Sequence, residues 1–266
     1  MKRILTAAIL LLTSYTLSAQ LYNAGERLDY RVAYKAKLVP NTEMATVTVE
    51  TTIDTLNGNP VYRVMGLGKI MPEYRWFFNL EDRYDIFVDT LTLRTQRFES
   101  DIREGDYTFR SYYNYDWDNK KVHTWAQSRQ RTPRTKTMEL TPRSMDAVSL
   151  YYNLRTVPDS IIKEGFARDL EMVLEDTVRY LSFRYDGREV KKVRGLGKFN
   201  TIKFRCKIAT SDGFAFTDGT EFMVWISDDR NKIPLYIESP IKVGSVCAYL
   251  SSYEGLRYPM DCFIKK

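Results

Sequence analysis

Adjacent carboxylates are the side chains in this sequence that come closest to an acid–base site. Asp228 and Asp229 lie between two apolar runs in WISDDRNKIPLYIES, and Arg230 and Lys232 follow them. Neighbouring residues of an extended strand point to opposite faces, so such a pair reaches one bond only if a turn redirects it. Aspartate also favours turns, because its side chain accepts hydrogen bonds from nearby backbone groups. We therefore predict a hairpin turn centred on Asp229 and Arg230, and no catalytic residues.

The other motifs for catalysis, phosphate binding and metal binding are incomplete. GLGK occurs at residues 66–69 and 195–198, but without the spacing and the Ser or Thr of a phosphate-binding loop. His123 is the only histidine, and no GxSxG stretch offers it a nucleophile. One histidine and three widely spaced cysteines give no zinc pattern. We expect no metal and no cofactor, and the sequence favours a protein without catalytic activity.

Aromatic residues are the remaining candidates for binding a ligand. MPEYRWFFNL, at residues 71–80, groups Tyr74, Trp76 and Phe78, and Trp117 lies on another predicted strand. Ordinary core packing is one interpretation, because a large sheet needs large side chains. The functional interpretation is a hydrophobic groove or a sugar-stacking platform built from these four residues.

The start of the chain predicts export. Lys2 and Arg3 precede an apolar run at 4–12, and LSAQ at 17–20 provides small residues for cleavage after Ala19. The run is shorter than the roughly 20 residues that cross a bilayer, and charges interrupt every later apolar stretch. No cysteine lies near the cleavage site. We expect residues 1–19 to be a signal peptide, and the protein to be periplasmic or secreted, without a lipid anchor or a transmembrane segment.

Net charge bears on the choice of partners, and cysteine content bears on disulfides. The formal net charge is +6, and no nucleic-acid-binding motif occurs, so nucleic acid is not an expected partner of an exported protein. Three cysteines allow at most one internal disulfide. Cys206 and Cys247 lie in apolar alternations, which predicts buried thiols, and whether either of them pairs with Cys262 stays open.

Period-two alternation dominates the rest of the sequence and predicts antiparallel strands. In LDYRVAYKAKL, apolar and charged residues alternate as in a half-buried strand. Tight turns are predicted at Asn57-Gly58, Asp186-Gly187, Asp212-Gly213 and Asp218-Gly219. The fold class is mainly β: a large curved antiparallel sheet, or an open barrel-like meander.

One segment breaks the alternation. SMDAVSLYYNLR, from residue 144, has apolar residues at helical spacing, which predicts a helix of about three turns at about 144–156 with Ser144 as its N-cap. We expect this helix to pack on the sheet. A polar loop at 128–143 precedes it. Residues 20–266 then form a single β-rich domain, in which a loop and helix at about 128–157 join two β halves.

The hairpin around the aspartate pair is predicted to carry part of the core. Alternation places Met223 and Trp225 on one face, and it makes Ile233, Leu235 and Ile237 the matching apolar face of the partner strand.

Four stretches together resemble the domain of unknown function 3108, a family of exported proteins of Gram-negative bacteria. They are GERLDYRVAYK at 25–35, DRYDIFVDTLTLRTQRFESDIREGDY at 82–107, SMDAVSLYYNLR at 144–155 and VWISDDRNKIPLYIESPIKVGSVCAYL at 224–250. The resemblance covers nearly the whole chain after the signal peptide and implies an exported β-rich protein, but it brings no activity and no catalytic residues. A looser likeness of layout is to periplasmic lipoprotein carriers, whose curved sheet wraps an apolar cavity closed by helices.

Three functions follow as expectations. The first is non-enzymatic binding of a lipid-like or other hydrophobic small molecule. The alternative is a structural or interaction protein of the cell envelope that binds a protein or polysaccharide partner. A hydrolase of envelope polymers requires that Asp228 or Asp229 face a cleft with another carboxylate.

Overall fold

The computed structural model describes residues 23–36, 39–129, 131–146, 148–174, 177–208 and 220–265. The predicted signal peptide lies outside these residues. Their strands are β1 Glu26–Ala36, β2 Val39–Leu56, β3 Asn59–Ile70, β4 Leu80–Asp89, β5 Thr95–Glu104, β6 Tyr107–Asp116, β7 Lys121–Ser128, β8 Arg131–Glu139, β9 Ser144–Met145, β10 Ala167–Leu174, β11 Thr177–Val193, β12 Gly197–Ile208, β13 Thr220–Ser227, β14 Pro234–Pro240, β15 Ser245–Glu254 and β16 Phe263–Ile264. The helix α1 is Ser149–Arg155, and 3-10 turns occupy Pro72–Tyr74 and Asp159–Ile161.

These strands form one large sheet, as the alternation predicted. Its order is β8-β7-β6-β5-β4-β3-β2-β1-β15-β14-β13-β12-β11-β10-β9, and β16 pairs with β12. Neighbours are antiparallel except β9 and β10, which are parallel. The prediction of a mainly β protein with an open, meandering sheet is confirmed.

The two ends of the sheet are brought together by side-chain packing. Strand β10 is buried on both faces: Leu170 joins one core cluster with Leu181, while Val173 joins another with Val122 and Met138. Val122 and Met138 belong to β7 and β8, at the other end of the strand order. The sheet therefore curls until side chains of β10 share one core cluster with those of β7 and β8, and no backbone ladder joins these ends among the described strands.

The predicted three-turn helix is wrong in its extent. Ser144 and Met145 pair with β10, and the helix occupies only seven residues, Ser149–Arg155. Its first backbone N–H groups are bound by Asp146: the amides of Val148 and Ser149 donate to Asp146 Oδ1 at 2.8 and 2.7 Å. The predicted N-cap, Ser144, instead accepts a hydrogen bond from the Thr141 amide through Oγ at 2.8 Å.

The predicted polar loop at 128–143 is also wrong, because most of it forms β8. Its residues are exposed except Met138, so β8 lacks the apolar alternation that marks a half-buried strand. β8 is the edge strand of the order, where Pro133 need not donate to a neighbour. The β-branched threonines of the stretch favour extended backbone.

The turn predictions have mixed outcomes. Asn57-Gly58 joins β2 to β3 with φ of 52° and 81°, as a tight hairpin requires. Asp186-Gly187 lies within β11, where the register against β12 shifts between Tyr185 and Arg188, so this pair forms a bulge and not a hairpin turn. Asp212-Gly213 and Asp218-Gly219 lie outside the described residues.

Trp225 is buried, but the predicted partners are wrong. Its ring packs edge-on against Tyr236 at 5.3 Å, and the Lys191 ammonium lies 3.4 Å from the ring centroid. Its neighbours Val224 and Ile226 point to the opposite face and join the core cluster that Ile237 contacts. A bulge between Trp225 and Ile226 in the pairing of β13 with β14 breaks the simple alternation that the prediction used.

All three cysteines are buried free thiols. This confirms the prediction for Cys206 and Cys247. Burial raises the pKa of the Cys206 thiol to about 12, so it behaves as an apolar side chain. Among the described residues, no helix has the length and apolar character needed to cross a membrane.

Candidate functional site

A cleft of about 370 Å³ opens at the end of the sheet where α1 lies. The β4–β5 turn, the residue after β6, β9 and α1 form its walls. Five hydroxyl side chains face four apolar ones, two aromatic rings and one cation. The hydroxyl residues are Thr92, Thr95, Ser144, Ser149 and Thr156; the others are Val88, Leu93, Pro142, Met145, Trp117, Tyr152 and Arg94.

A buried carboxylate organises one wall of the cleft. Asp146 is fully buried and accepts hydrogen bonds from the hydroxyls of Thr95 and Ser149, as well as from the two backbone amides at the start of α1. A buried carboxylate is stable only when its oxygens are bound in this way. Asp146 therefore ties the start of β5 to α1 and fixes Thr95 and Ser149, both of which line the cleft.

The β4–β5 turn holds a second wall. Asp89 Oδ1 accepts the amide of Thr92 at 2.6 Å and that of Leu91 at 3.1 Å. Burial alone raises the pKa of the Asp89 carboxyl, but hydrogen bonds from Thr92 and Leu91 outweigh it and hold the pKa below its usual value. Leu93 adopts a positive φ of 57°, which turns the chain back into β5 at Arg94. The turn is therefore built by its own polar contacts and presents three lining residues, Thr92, Leu93 and Arg94.

The one cation among the described lining residues lies over an aromatic ring. The Arg94 guanidinium is 4.9 Å from the centroid of Trp117, and it forms no ion pair with a described carboxylate. Trp117 is fixed in turn, because its Nε1 donates to the Thr95 carbonyl at 2.7 Å and its ring stacks on Tyr115 at 6.0 Å. The positive charge is therefore positioned, and no carboxylate in the described part of the chain neutralises it.

Tyr152 of α1 forms the buried part of the cleft. Its hydroxyl lies 2.9 Å from Thr51 Oγ1 on β2, and burial raises its pKa well above the usual range for tyrosine. One turn further along α1, Arg155 forms a buried ion pair with Glu26 of β1. The helix that closes the cleft is therefore bound to β1 and β2 by polar contacts.

The structure separates the four aromatic residues that the sequence proposed. Trp117 lines the cleft. Tyr74, Trp76 and Phe78 lie in the β3–β4 connection, at the opposite end of the strands, and do not join it. Trp76 is 84% exposed, and the structure does not bring the four residues together into one groove or platform.

The aspartate pair forms the predicted turn between β13 and β14, but it is only partly exposed. Asp229 Oδ1 accepts the amide of Asn231 at 2.9 Å, and Asp228 forms an ion pair with Arg188 at 3.0 Å. Both line a second cleft of about 510 Å³, together with Asp159 and Asp261. The geometric condition for a hydrolase is thus present.

The individual contacts of that second cleft do not favour hydrolysis. Asp159 is bound by Lys232 at 2.9 Å, Asp228 by Arg188, and Asp229 by its own turn. A carboxylate whose oxygens are already bound to a cation or to its own turn is less available to contact a substrate. Within the described ranges, no group of three or more histidine, cysteine, aspartate or glutamate side chains is placed to hold a metal ion.

Sequence reasoning missed Arg94 and Tyr152 as lining residues. Arg94 belongs to a turn that the alternation skipped, and Tyr152 was assigned to a helix stripe without a partner. The signal for both was weak, because their proximity arises from pairing between strands far apart in the chain. Asp146 carried a local signal, since it lies at the start of a helical pattern.

Similarity to known proteins agrees with this fold. Residues 29–251 match the model of a family described as protein of unknown function, DUF3108. The chain belongs to this family. No curated protein matches it. The crystal structure of a β-barrel-like protein of the domain of unknown function DUF1849 from Brucella abortus is similar, with a TM-score of 0.56 and 9% identity over 88% of this chain and 99% of that one. At this identity, the likeness of the DUF3108 chain to that structure concerns the fold alone.

Proposed function

We propose that the protein is an exported binding protein whose cleft beside α1 takes a hydrophobic small molecule with an anionic end, such as a fatty acid. The single observation that supports this most directly is the position of Arg94 at the cleft, over Trp117 and without a described ion pair. A cation held in this way favours a carboxylate or phosphate ligand.

The rest of the lining suits the remainder of such a ligand. Val88, Leu93 and Met145 offer apolar surface, and the hydroxyls of Thr95 and Ser149 are engaged with Asp146. Small-molecule sites are concave and combine apolar walls with a few polar groups that fix orientation. The cleft volume of about 370 Å³ falls in the usual range for such sites. An acyl chain along the apolar wall, with its carboxylate at Arg94, uses both the apolar surface and the cation of the cleft.

Displacement of a fluorescent fatty-acid probe tests this function. The purified chain should bind the probe, and Arg94→Gln should weaken binding about tenfold, as expected for a lost charge-assisted contact. Met145→Trp, which fills the cleft, should weaken binding without removing charge. Arg110→Gln is the matched control, because Arg110 is an exposed outer-face residue paired with Asp101. Binding that is absent, or equally affected by Arg110→Gln, contradicts the proposal.

A second candidate, an envelope interaction protein, has one observation in its favour. No described strand pairs with the outer edge of β8, and the strand is exposed along almost its whole length. Such an edge accepts an added strand from a protein partner. Cross-linking in intact cells through Thr135, replaced by a photoreactive residue, should then trap one neighbour. Recovery of the uncross-linked protein alone contradicts this candidate.

A further inference from the structure

Two adjacent aromatic side chains project into solvent from the connection between β3 and β4. Trp76 is 84% exposed and Phe77 is 75% exposed. Their rings contact each other edge-on, with centroids 5.9 Å apart. Exposed aromatic rings of this size that lie side by side mark a surface that meets another apolar surface.

The connection holds these rings in place by its own contacts. The Tyr74 amide donates to the Met71 carbonyl, and the amides of Phe77 and Phe78 both donate to the Tyr74 carbonyl, each at 3.0 Å. The Phe78 ring lies over Gly105, where a Cβ atom would come within 3.4 Å of it. Phe78 thus anchors the loop on the neighbouring hairpin while Trp76 and Phe77 point outward. Their exposure is a property of an ordered turn.

Cations accompany the exposed apolar side chains at this end of the sheet. Arg75 is exposed and precedes Trp76 directly, with Glu73 two positions earlier. The β14–β15 turn lies at the same end and exposes Lys242 beside Val243, which is 69% exposed. Two turns at one end of the sheet therefore each place an apolar side chain next to a cation.

We propose that this end of the sheet docks on a phospholipid bilayer containing anionic lipids. Trp76 and Phe77 enter the interfacial layer, where aromatic rings are favoured. Arg75 and Lys242 remain at the lipid phosphates, since long cationic side chains keep their charge in the headgroup region while their stems cover apolar surface. Two projecting rings beside Arg75, together with a second turn that sets Val243 beside Lys242, match the chemistry of a bilayer surface. This docking surface is separate from the cleft, which lies at the opposite end of the strands.

Co-sedimentation of the full chain with vesicles of phosphatidylcholine and phosphatidylglycerol tests the docking surface, since the vesicles contain no protein. The double variant Trp76→Ser/Phe77→Ser should bind at least about tenfold more weakly, because the apolar area that enters the bilayer is lost. The matched control is Leu91→Ser: Leu91 is 79% exposed, but it lies in the β4–β5 turn at the opposite end. Vesicles without phosphatidylglycerol should bind the wild type more weakly.

Quenching by brominated lipids identifies the residue that enters the bilayer. Vesicles with brominated acyl chains should quench wild-type tryptophan fluorescence, and Trp76→Phe should abolish most of this quenching while Trp125→Phe leaves it unchanged. Failure of the wild type to bind vesicles overturns the proposal, and so does binding that Leu91→Ser weakens as much as the double variant. Circular dichroism of each variant verifies that the fold is intact.

Discussion

The guanidinium of Arg155 contacts both carboxylate oxygens of Glu26, at 2.5 and 2.9 Å, although the two residues are 129 positions apart. Both side chains are buried, with exposed fractions of 2% and 1%. This pair joins α1 to the first strand of the sheet and supports the closed side of the cleft.

Arg155→Met should destabilise the protein strongly. It leaves the Glu26 carboxylate buried without its partner, and breaking a buried pair in this way costs about 3–5 kcal/mol. The double variant Glu26→Gln/Arg155→Met should be less destabilised than the sum of the two single variants. Urea denaturation midpoints measure both effects. Strict additivity would show that the two residues do not interact in solution.

Asp146→Ala should cost more stability than Asp146→Asn. Alanine leaves two backbone amides of α1 and two hydroxyls without their acceptor, at about 2 kcal/mol or more, whereas asparagine keeps one carbonyl oxygen. Asp116→Ala is the control, because Asp116 plays a similar local part in an exposed turn at Asn119. Thermal or urea unfolding compares the three variants. A smaller loss in Asp146→Ala than in Asp116→Ala contradicts the role given to Asp146.

Substitutions around the β13–β14 turn should show that the buried ring of Trp225 contributes more to stability than either turn carboxylate. Trp225→Ala should cost about 3–5 kcal/mol, as for other buried aromatic residues. Asp228→Ala removes a half-exposed ion pair and should cost about 1 kcal/mol or less. Asp229→Ala should cost about 2 kcal/mol, because Asp229 binds the turn through several hydrogen bonds. If Asp228→Ala destabilises the protein more than Asp229→Ala does, the ion pair of Asp228 matters more to the turn than the hydrogen bonds of Asp229, which contradicts this prediction.

Stability should fall with rising pH through the titration of Asp82. Burial raises the pKa of its carboxyl to about 6, although a hydrogen bond from the Arg103 amide favours the charged form. The folded protein binds this proton more tightly than the unfolded chain does, so the contribution is complete below about pH 4 and is lost as the pH rises through about 6. Between pH 4 and pH 8, the difference in unfolding free energy between Asp82→Asn and wild type should therefore shift by about 1–2 kcal/mol in favour of the variant. A pH-independent difference in urea midpoints contradicts this.

The sheet was predictable because apolar and polar residues alternate with a period of two along a half-buried strand. LDYRVAYKAKL shows that period and forms β1. The period fails where burial is not one-sided: β8 is exposed on both faces, and β10 is buried on both. Strand β8 was therefore predicted as a loop. The predicted helix was too long, because Ser144 and Met145 pair with β10 instead.

The cleft was predictable only in part. Trp117 was selected for its ring alone, but nothing near it in the sequence indicates Arg94 above the ring or Tyr152 across the cleft. These contacts depend on which strands pair and on how the sheet curls. The exposure of Trp76 was likewise hidden, because a run of aromatic residues has the same composition in a core strand and in a projecting turn.

A crystal of the protein soaked with a brominated fatty acid tests the central claim most directly. The anomalous signal of bromine should lie between Val88 and Met145, with the carboxylate within hydrogen-bond distance of Arg94, and crystals of Arg94→Gln should show it weakened. Bromine bound in the cleft at Asp228, or no ordered bromine at any ligand concentration that crystals tolerate, would contradict the assignment of this cleft as the binding site.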